Sequence, residues 1–133
     1  MKKMTMKNKF TIYGRLPSLN EYVLANRGNK YAGASMKKHT EKLICKAIRE
    51  SGIKHHSEPV TLSIDWYEPN NRRDLDNIQF GTKFIQDAMV KAGILTDDSR
   101  KYVVGLEHHV FTDKENPRIE VEIRKEKEND HIE

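Results

Sequence analysis

Pro59-Val-Thr-Leu-Ser-Ile-Asp-Trp-Tyr-Glu-Pro-Asn-Asn71 leads straight into Arg72-Arg-Asp-Leu-Asp-Asn-Ile78. Val60, Leu62, Ile64 and Trp66 alternate with Thr61, Ser63, Asp65 and Tyr67, the period of a strand with one buried face, and Pro69-Asn-Asn71 closes it. The pattern then changes period. From about Asn77 to Ala92, Ile78, Ile85, Ala88, Met89 and Ala92 share one side, with Phe84 and Gly81 alongside. That spacing predicts a helix, and Gly93 stands where a helix C-terminus wants glycine. Lys101–Phe111 returns to alternation, with Tyr102, Val104, Leu106 and Val110 on one face.

Working outward completes the element order. Asn8–Gly14 alternates Phe10 and Ile12 against Lys9, Thr11 and Tyr13, predicting a first strand. Residues 15–34 are rich in turn formers and basic groups and read as a long loop, with a short helical turn around Glu21–Ala25. Ser35 is placed to cap a helix whose Met36, Leu43, Ile44, Ala47 and Ile48 recur at threes and fours up to Gly52. Downstream, Asp113-Lys-Glu-Asn-Pro117 has turn chemistry, and Ile119, Val121 and Ile123 alternate with charges in a last strand. The expected fold is α+β, in the order β-α-β-α-β-β, with a mixed sheet, two helices packed on it and a C-terminal β-hairpin. No repeat or Gly/Ser-rich linker divides the chain. One domain over residues 1–125 and a frayed, charged tail over 126–133 are expected.

Composition narrows the function. Charged residues are 33% of the 133, above the usual share of about 25%. The formal net charge of +4 conceals a division. Residues 1–56 hold 13 basic against 3 acidic side chains, a net of +10, whereas 57–112 and 113–133 each net −3. Such asymmetry points to a polyanionic partner. The lone Cys45 makes no intramolecular disulfide, the basic start lacks the apolar run of a signal peptide, and no segment has the length of a membrane span. A soluble cytoplasmic protein is the expectation.

Acids concentrate in two loops. Asp74 and Asp76 lie where the Pro59–Tyr67 strand enters its helix, and Asp97 and Asp98 lie where the chain leaves that helix. Carboxylates two apart in extended chain project to one side and can converge on a hard cation such as Mg²⁺. Phosphodiester hydrolysis uses such a cation to screen nonbridging oxygens and steady the leaving oxygen. The plain alternatives are an N-cap region for Asp74 and Asp76 and a turn for Asp97-Asp98-Ser99. A straight helix of some 16 residues would hold the pairs about 24 Å apart. They meet if the following chain folds back along it, or across a subunit boundary. At about 100° per residue, Lys83 and Asp87 fall near the azimuth of Asp76 and could set an ammonium beside a phosphate. A Lys83–Asp87 i,i+4 ion pair is the plain alternative.

For phosphate contacts the residues of choice are Arg15, Arg27, Lys30, Arg72 and Arg73, in loops or beside the acids, followed by Lys37, Lys38 and Lys42 on the first helix. The stripe Lys38, Lys42, Lys46, Arg49 also reads simply as a solvated face. Other candidates fail sooner. His55-His56 and His108-His109 point to opposite sides of extended chain and lack a cysteine pair. His108 reads as a satisfied core histidine. Gly28 and Gly33 make no phosphate-binding loop. Glu120, Glu122 and Lys125 read as solvated positions of an edge strand.

Taken in order, Pro17-Ser-Leu-Asn-Glu-Tyr22, Arg72-Arg-Asp-Leu-Asp-Asn77 and Asp87-Ala-Met-Val-Lys-Ala-Gly-Ile-Leu-Thr-Asp-Asp98 resemble the RusA family of Holliday junction resolvases over roughly residues 10–125. The resemblance implies a small homodimeric endonuclease that uses Mg²⁺ or Mn²⁺ and makes paired nicks with 5′-phosphate ends in four-way DNA junctions. No nucleotide cofactor or membrane is implied. It assigns the metal site to Asp74, Asp76 and Asp98, with Asp97 in support, and carries a catalytic lysine. In the family pattern that lysine follows the second aspartate by one helical turn, a place held here by Phe80. Lys83 stands about one turn further on, consistent with three extra residues that keep its face and move it about 4.5 Å. Three readings stay open: a metal-dependent junction endonuclease, a non-catalytic branched-DNA-binding relative, and a nuclease for flaps or other branched DNA.

Overall fold

The structure is a computed structural model and describes residues 8–29 and 31–125. Lys30 and the 126–133 tail lie outside the described residues. The elements are β1 (Lys9–Tyr13), α1 (Leu19–Gly28), α2 (Ala32–Ser51), β2 (Val60–Glu68), α3 (Leu75–Gln79), α4 (Thr82–Lys91), β3 (Val103–Thr112) and β4 (Arg118–Lys125). They build an α+β fold with a mixed four-stranded sheet in the order β1-β4-β2-β3.

The apolar alternation that predicted β2 is what seats it centrally. Val60, Leu62, Ile64 and Trp66 are essentially fully buried, and they meet Phe10 and Ile12 of β1 and Ile119, Val121 and Ile123 of β4 in one core beneath the helices. α2 and α4 add Ile44, Ile48, Ile85 and Met89 from above. The opposite face of the sheet carries Asp65 and Tyr67 with Glu107, His109 and Phe111 of β3 and Glu120 and Glu122 of β4. Gly52 and Gly93 end their helices in the left-handed region, at φ +77° and +80°.

Four expectations change. First, the C-terminal hairpin does not form: β3 pairs parallel to β2, while β4 lies antiparallel between β1 and β2. β4 is buried along Ile119, Val121 and Ile123, so it takes a place inside the sheet, whereas the more exposed β3 is left at the edge. A five-residue link carries the chain past the end of β2, held there by Asp113 N–H donating to the Glu68 carbonyl at 2.7 Å. Second, residues 15–34 are not mainly loop. α1 is opened by a capping box in which Ser18 Oγ accepts from Glu21 N–H and Glu21 Oε1 accepts from Ser18 N–H. α2 begins at Ala32, ahead of the expected Ser35 cap. Third, the helix expected over 77–92 is broken at Phe80-Gly81 into α3 and α4. Gly81 presses on the Trp66 ring, where an added Cβ would lie 3.2 Å from ring carbons. Fourth, a bulge opposite Val60-Thr61 shifts the β3 register, so Val103 turns inward and Val104 is exposed.

His108 behaves as a satisfied histidine. Trp66 Nε1–H donates to its Nδ1 at 3.0 Å, which puts the ring proton on Nε2. Burial, helped by neighbouring His109, pushes its pKa below the ordinary 6.5. The unfolded chain therefore takes up a proton where the folded one does not. This contribution to stability is complete above about 6.5 and is lost as pH falls through the lowered folded value. The thermal midpoint is expected to fall between about pH 7 and pH 5 and to fall less in His108→Gln; scanning calorimetry at several pH values checks it.

Candidate functional site

The chain leaves the carboxyl end of β2 through Pro69–Arg73 and enters α3 at Asp74. Asp74 holds the N-cap position in extended conformation, yet its side chain makes no capping hydrogen bond. Asp76, in the first turn, is likewise exposed. Among the described residues, no side-chain hydrogen bond or ion pair engages either carboxylate. A cap would have consumed one of them; both instead face solvent with their acceptor sites open.

The two arginines beside them differ. Arg73 is mostly buried, donating to the Leu16 carbonyl at 3.0 Å and to Glu21 Oε1 at 2.9 Å, which ties the site loop to α1. Arg72 is exposed, and its backbone N–H donates to Asn70 Oδ1. Arg15 reaches the buried Glu68 at 2.7 Å, anchoring the end of β2. Arg15, Arg73, His39 and Thr40 line a groove of about 580 Å³ between α1 and α2. Arg27 stands in the last turn of α1, and Lys38 and Lys42 are exposed on α2. Lys37 turns toward α4 instead.

The second acid pair lies in the loop after α4, which folds back toward that helix. Lys83 Nζ sits 3.5 Å from Asp98 Oδ2 and 3.3 Å from Asp87 Oδ1. Both the plain i,i+4 pair and a contact to the later aspartate are therefore present. The Asp87 carboxylate, followed by Asp98, holds the Lys83 ammonium above its ordinary pKa of 10.5. Asp97 accepts the Ser99 N–H at 2.6 Å, a turn contact that lowers its pKa. Lys37 approaches Asp87 at 3.5 Å, and Lys91 donates to Glu41 Oε1 at 2.6 Å. Together these groups line a groove of about 370 Å³.

Glu41 is the groove residue that sequence reasoning missed. It is buried at 3% exposure, and its Oε2 lacks a hydrogen-bond partner among the described residues. Its signal was present: it is a lone acid among Lys37, Lys38, Lys42 and Lys46 on a basic helix.

Among the described residues there is no group of three or more His, Cys, Asp or Glu side chains able to hold a metal ion. The free pair Asp74 and Asp76 suits one hard divalent cation, since Mg²⁺ is typically held by one or two carboxylates plus water and substrate oxygens.

The site thus sets exposed carboxylates on a loop entering a helix, with basic groups around them, at the end of a small mixed sheet. A family model described as Endodeoxyribonuclease RusA matches residues 14–124. The chain belongs to the RusA endodeoxyribonuclease family, and membership implies nuclease activity of the Holliday junction resolvase kind. Nucleases of this family are generally dependent on a divalent metal. No curated protein matches the chain. No helix among the described residues is long and apolar enough to cross a membrane.

Proposed function

We propose that this chain is a Mg²⁺-dependent endonuclease of DNA recombination and repair that resolves four-way junctions by paired, symmetric nicks leaving 5′-phosphates. It would work in the cytoplasm as a homodimer of one nuclease domain per chain, over residues 1–125. Mn²⁺ is the alternative ion. The observation that carries the reading is the pair Asp74 and Asp76, both without a partner among the described residues, inside the matched family segment.

Asp74 and Asp76 would hold the ion, with Asp98 as third ligand and Asp97 in support. When bound, the ion supplies charge neutralisation at the scissile phosphate and activation of water. Lys83, held by Asp87, would offset the charge that builds on the phosphate oxygens, an electrostatic role that needs a fixed ammonium. A two-fold dimer presents two equivalent sites to a junction of near two-fold symmetry. Exposed Arg72, Arg27, Lys38 and Lys42 would grip phosphates, with Arg15, Lys30, Lys37 and Arg73 extending that surface. Locating Mn²⁺ by its anomalous scattering tests the metal reading. Carboxylate oxygens of Asp74 and Asp76 are expected within about 2.0–2.6 Å of the ion, and an ion bound away from both would refute it.

The two neighbouring arginines separate binding from folding. Arg72→Ala should weaken junction binding and lower the slope of log affinity against log salt by about 1, with unchanged thermal stability. Arg73→Ala should cost about 1–3 kcal/mol of stability, because the Leu16 carbonyl and Glu21 lose their donor. Fluorescence anisotropy across salt concentrations and urea unfolding measure the two effects.

A further inference from the structure

Among the described residues, β3 is the longest strand and lies at the edge of the sheet, with one side unpaired. Val104, Leu106 and Phe111 stand on it at 44–48% exposure. A long apolar edge of this kind is a template for another strand unless it is covered. Its backbone is already divided. Asp113 N–H donates to the Glu68 carbonyl, and Glu68 registers with Thr112, so the odd-numbered residues from 105 on direct their peptide groups to β2. Those of Leu106, His108 and Val110 therefore face outward.

We propose that this edge pairs antiparallel with β3 of a second copy of the chain, with His108 on the two-fold axis. The inference rests on the homodimer reading above and names its seam. In that register Leu106 lies opposite the partner's Val110, and Glu107 opposite the partner's His109. Gly105, without a side chain, lies opposite the partner's Phe111. Glu107, which holds Arg124 of its own chain at 2.7 Å, would face the partner's His109, and in this register no two carboxylates lie directly opposite. Other registers are poorer. Centring on Glu107 sets two carboxylates against each other, and centring on Leu106 leaves Val110 and Phe111 beyond the paired segment.

The seam also bears on the divided acids. β2 and β3 are parallel, so Asp74 lies past the carboxyl end of β2, whereas Asp98 precedes the amino end of β3. Antiparallel pairing reverses the second copy. It brings the amino end of that copy's β3, which the partner's Asp98 precedes, to the end of the joined sheet where Asp74 stands.

The test uses the full chain, in which Cys45 is buried and the sole cysteine. Glu107→Cys and His109→Cys chains, co-expressed with different tags and mildly oxidised, should give a disulfide-linked heterodimer, while either variant alone should not. Leu106→Asp should raise the dimer dissociation constant in sedimentation equilibrium about 30-fold or more, with the circular dichroism of the parent. A chain that is dimeric but shows neither effect overturns the seam and leaves the dimer standing. Cross-linking of Glu107→Cys alone overturns the register. A monomer at all concentrations overturns the dimer reading and the seam together.

Discussion

Asp76→Asn is expected to abolish junction nicking while leaving junction binding intact. The substitution keeps the size of the side chain and removes the charge. In the structure the carboxylate has no hydrogen-bond or ion-pair partner among the described residues, so folding loses no contact. Under the proposed reading, its only consequence of size falls on the cation. Replacing groups that merely orient metal ligands typically costs about 10–100-fold, and loss of a ligand itself should cost on the order of 100-fold or more. Single-turnover nicking of a labelled four-way junction, with anisotropy to confirm binding, measures it. Activity within a few-fold of the parent would remove Asp76 from the metal site.

The largest effect on stability is expected at Trp66. It is the largest of the fully buried side chains, it packs beneath Gly81 at the break between α3 and α4, and it donates to His108. Trp66→Ala removes the ring from a closed core, which should cost about 3–5 kcal/mol. That is a large share of the 5–15 kcal/mol typical of a domain. Because α3 carries Asp76 and the break rests on the ring, nicking should also fall. Trp66→Phe should cost less, keeping most of the packing and losing the donor to His108. Urea unfolding gives the numbers, and a loss below about 1 kcal/mol for the alanine variant would mean that the ring does not organise this end of the core.

The strands were legible in the sequence because each buries one face and so alternates. β2 is the clearest case, and its alternation marks the centre of the sheet. Pairing was not legible: Asp113–Pro117 reads as a hairpin turn, but turn chemistry does not say which strand lies on the far side. The parallel β2–β3 pair and the insertion of β4 depend on which edges find buried neighbours. α1 was read only as a short turn around Glu21–Ala25 because it buries no residue and has little apolar stripe, although Ser18 and Glu21 spell its capping box. The break at Phe80-Gly81 lies against Trp66, 15 positions away in the chain, a contact that local sequence does not spell.

The candidate site was legible as chemistry more than as geometry. Asp74 and Asp76 could be named from their spacing, but that their side chains stay free of capping required the fold. Lys83 and Asp87 were readable as one helical face, and the fold adds Asp98 to them. The opening charge asymmetry proves uneven in its turn. Of the basic groups chosen for phosphate, Arg15, Lys37 and Arg73 make ion pairs within the fold, while Arg27, Arg72, Lys38 and Lys42 are exposed. The burial of Glu41 was not legible, because an acid set among lysines on a helix is ordinarily solvated and here it is α4, through Lys91, that covers it.

The most direct measurement is cleavage of a synthetic four-way junction by the full chain, with Mg²⁺ added or withheld and products mapped on all four strands. Metal-dependent nicks at symmetric positions in two opposing strands, with ligatable 5′-phosphate ends and no cutting of linear duplex, are the expected result. Tight junction binding without cleavage at any divalent ion, and indifferent to Asp74→Asn and Asp98→Asn, would contradict it and leave a branched-DNA-binding protein.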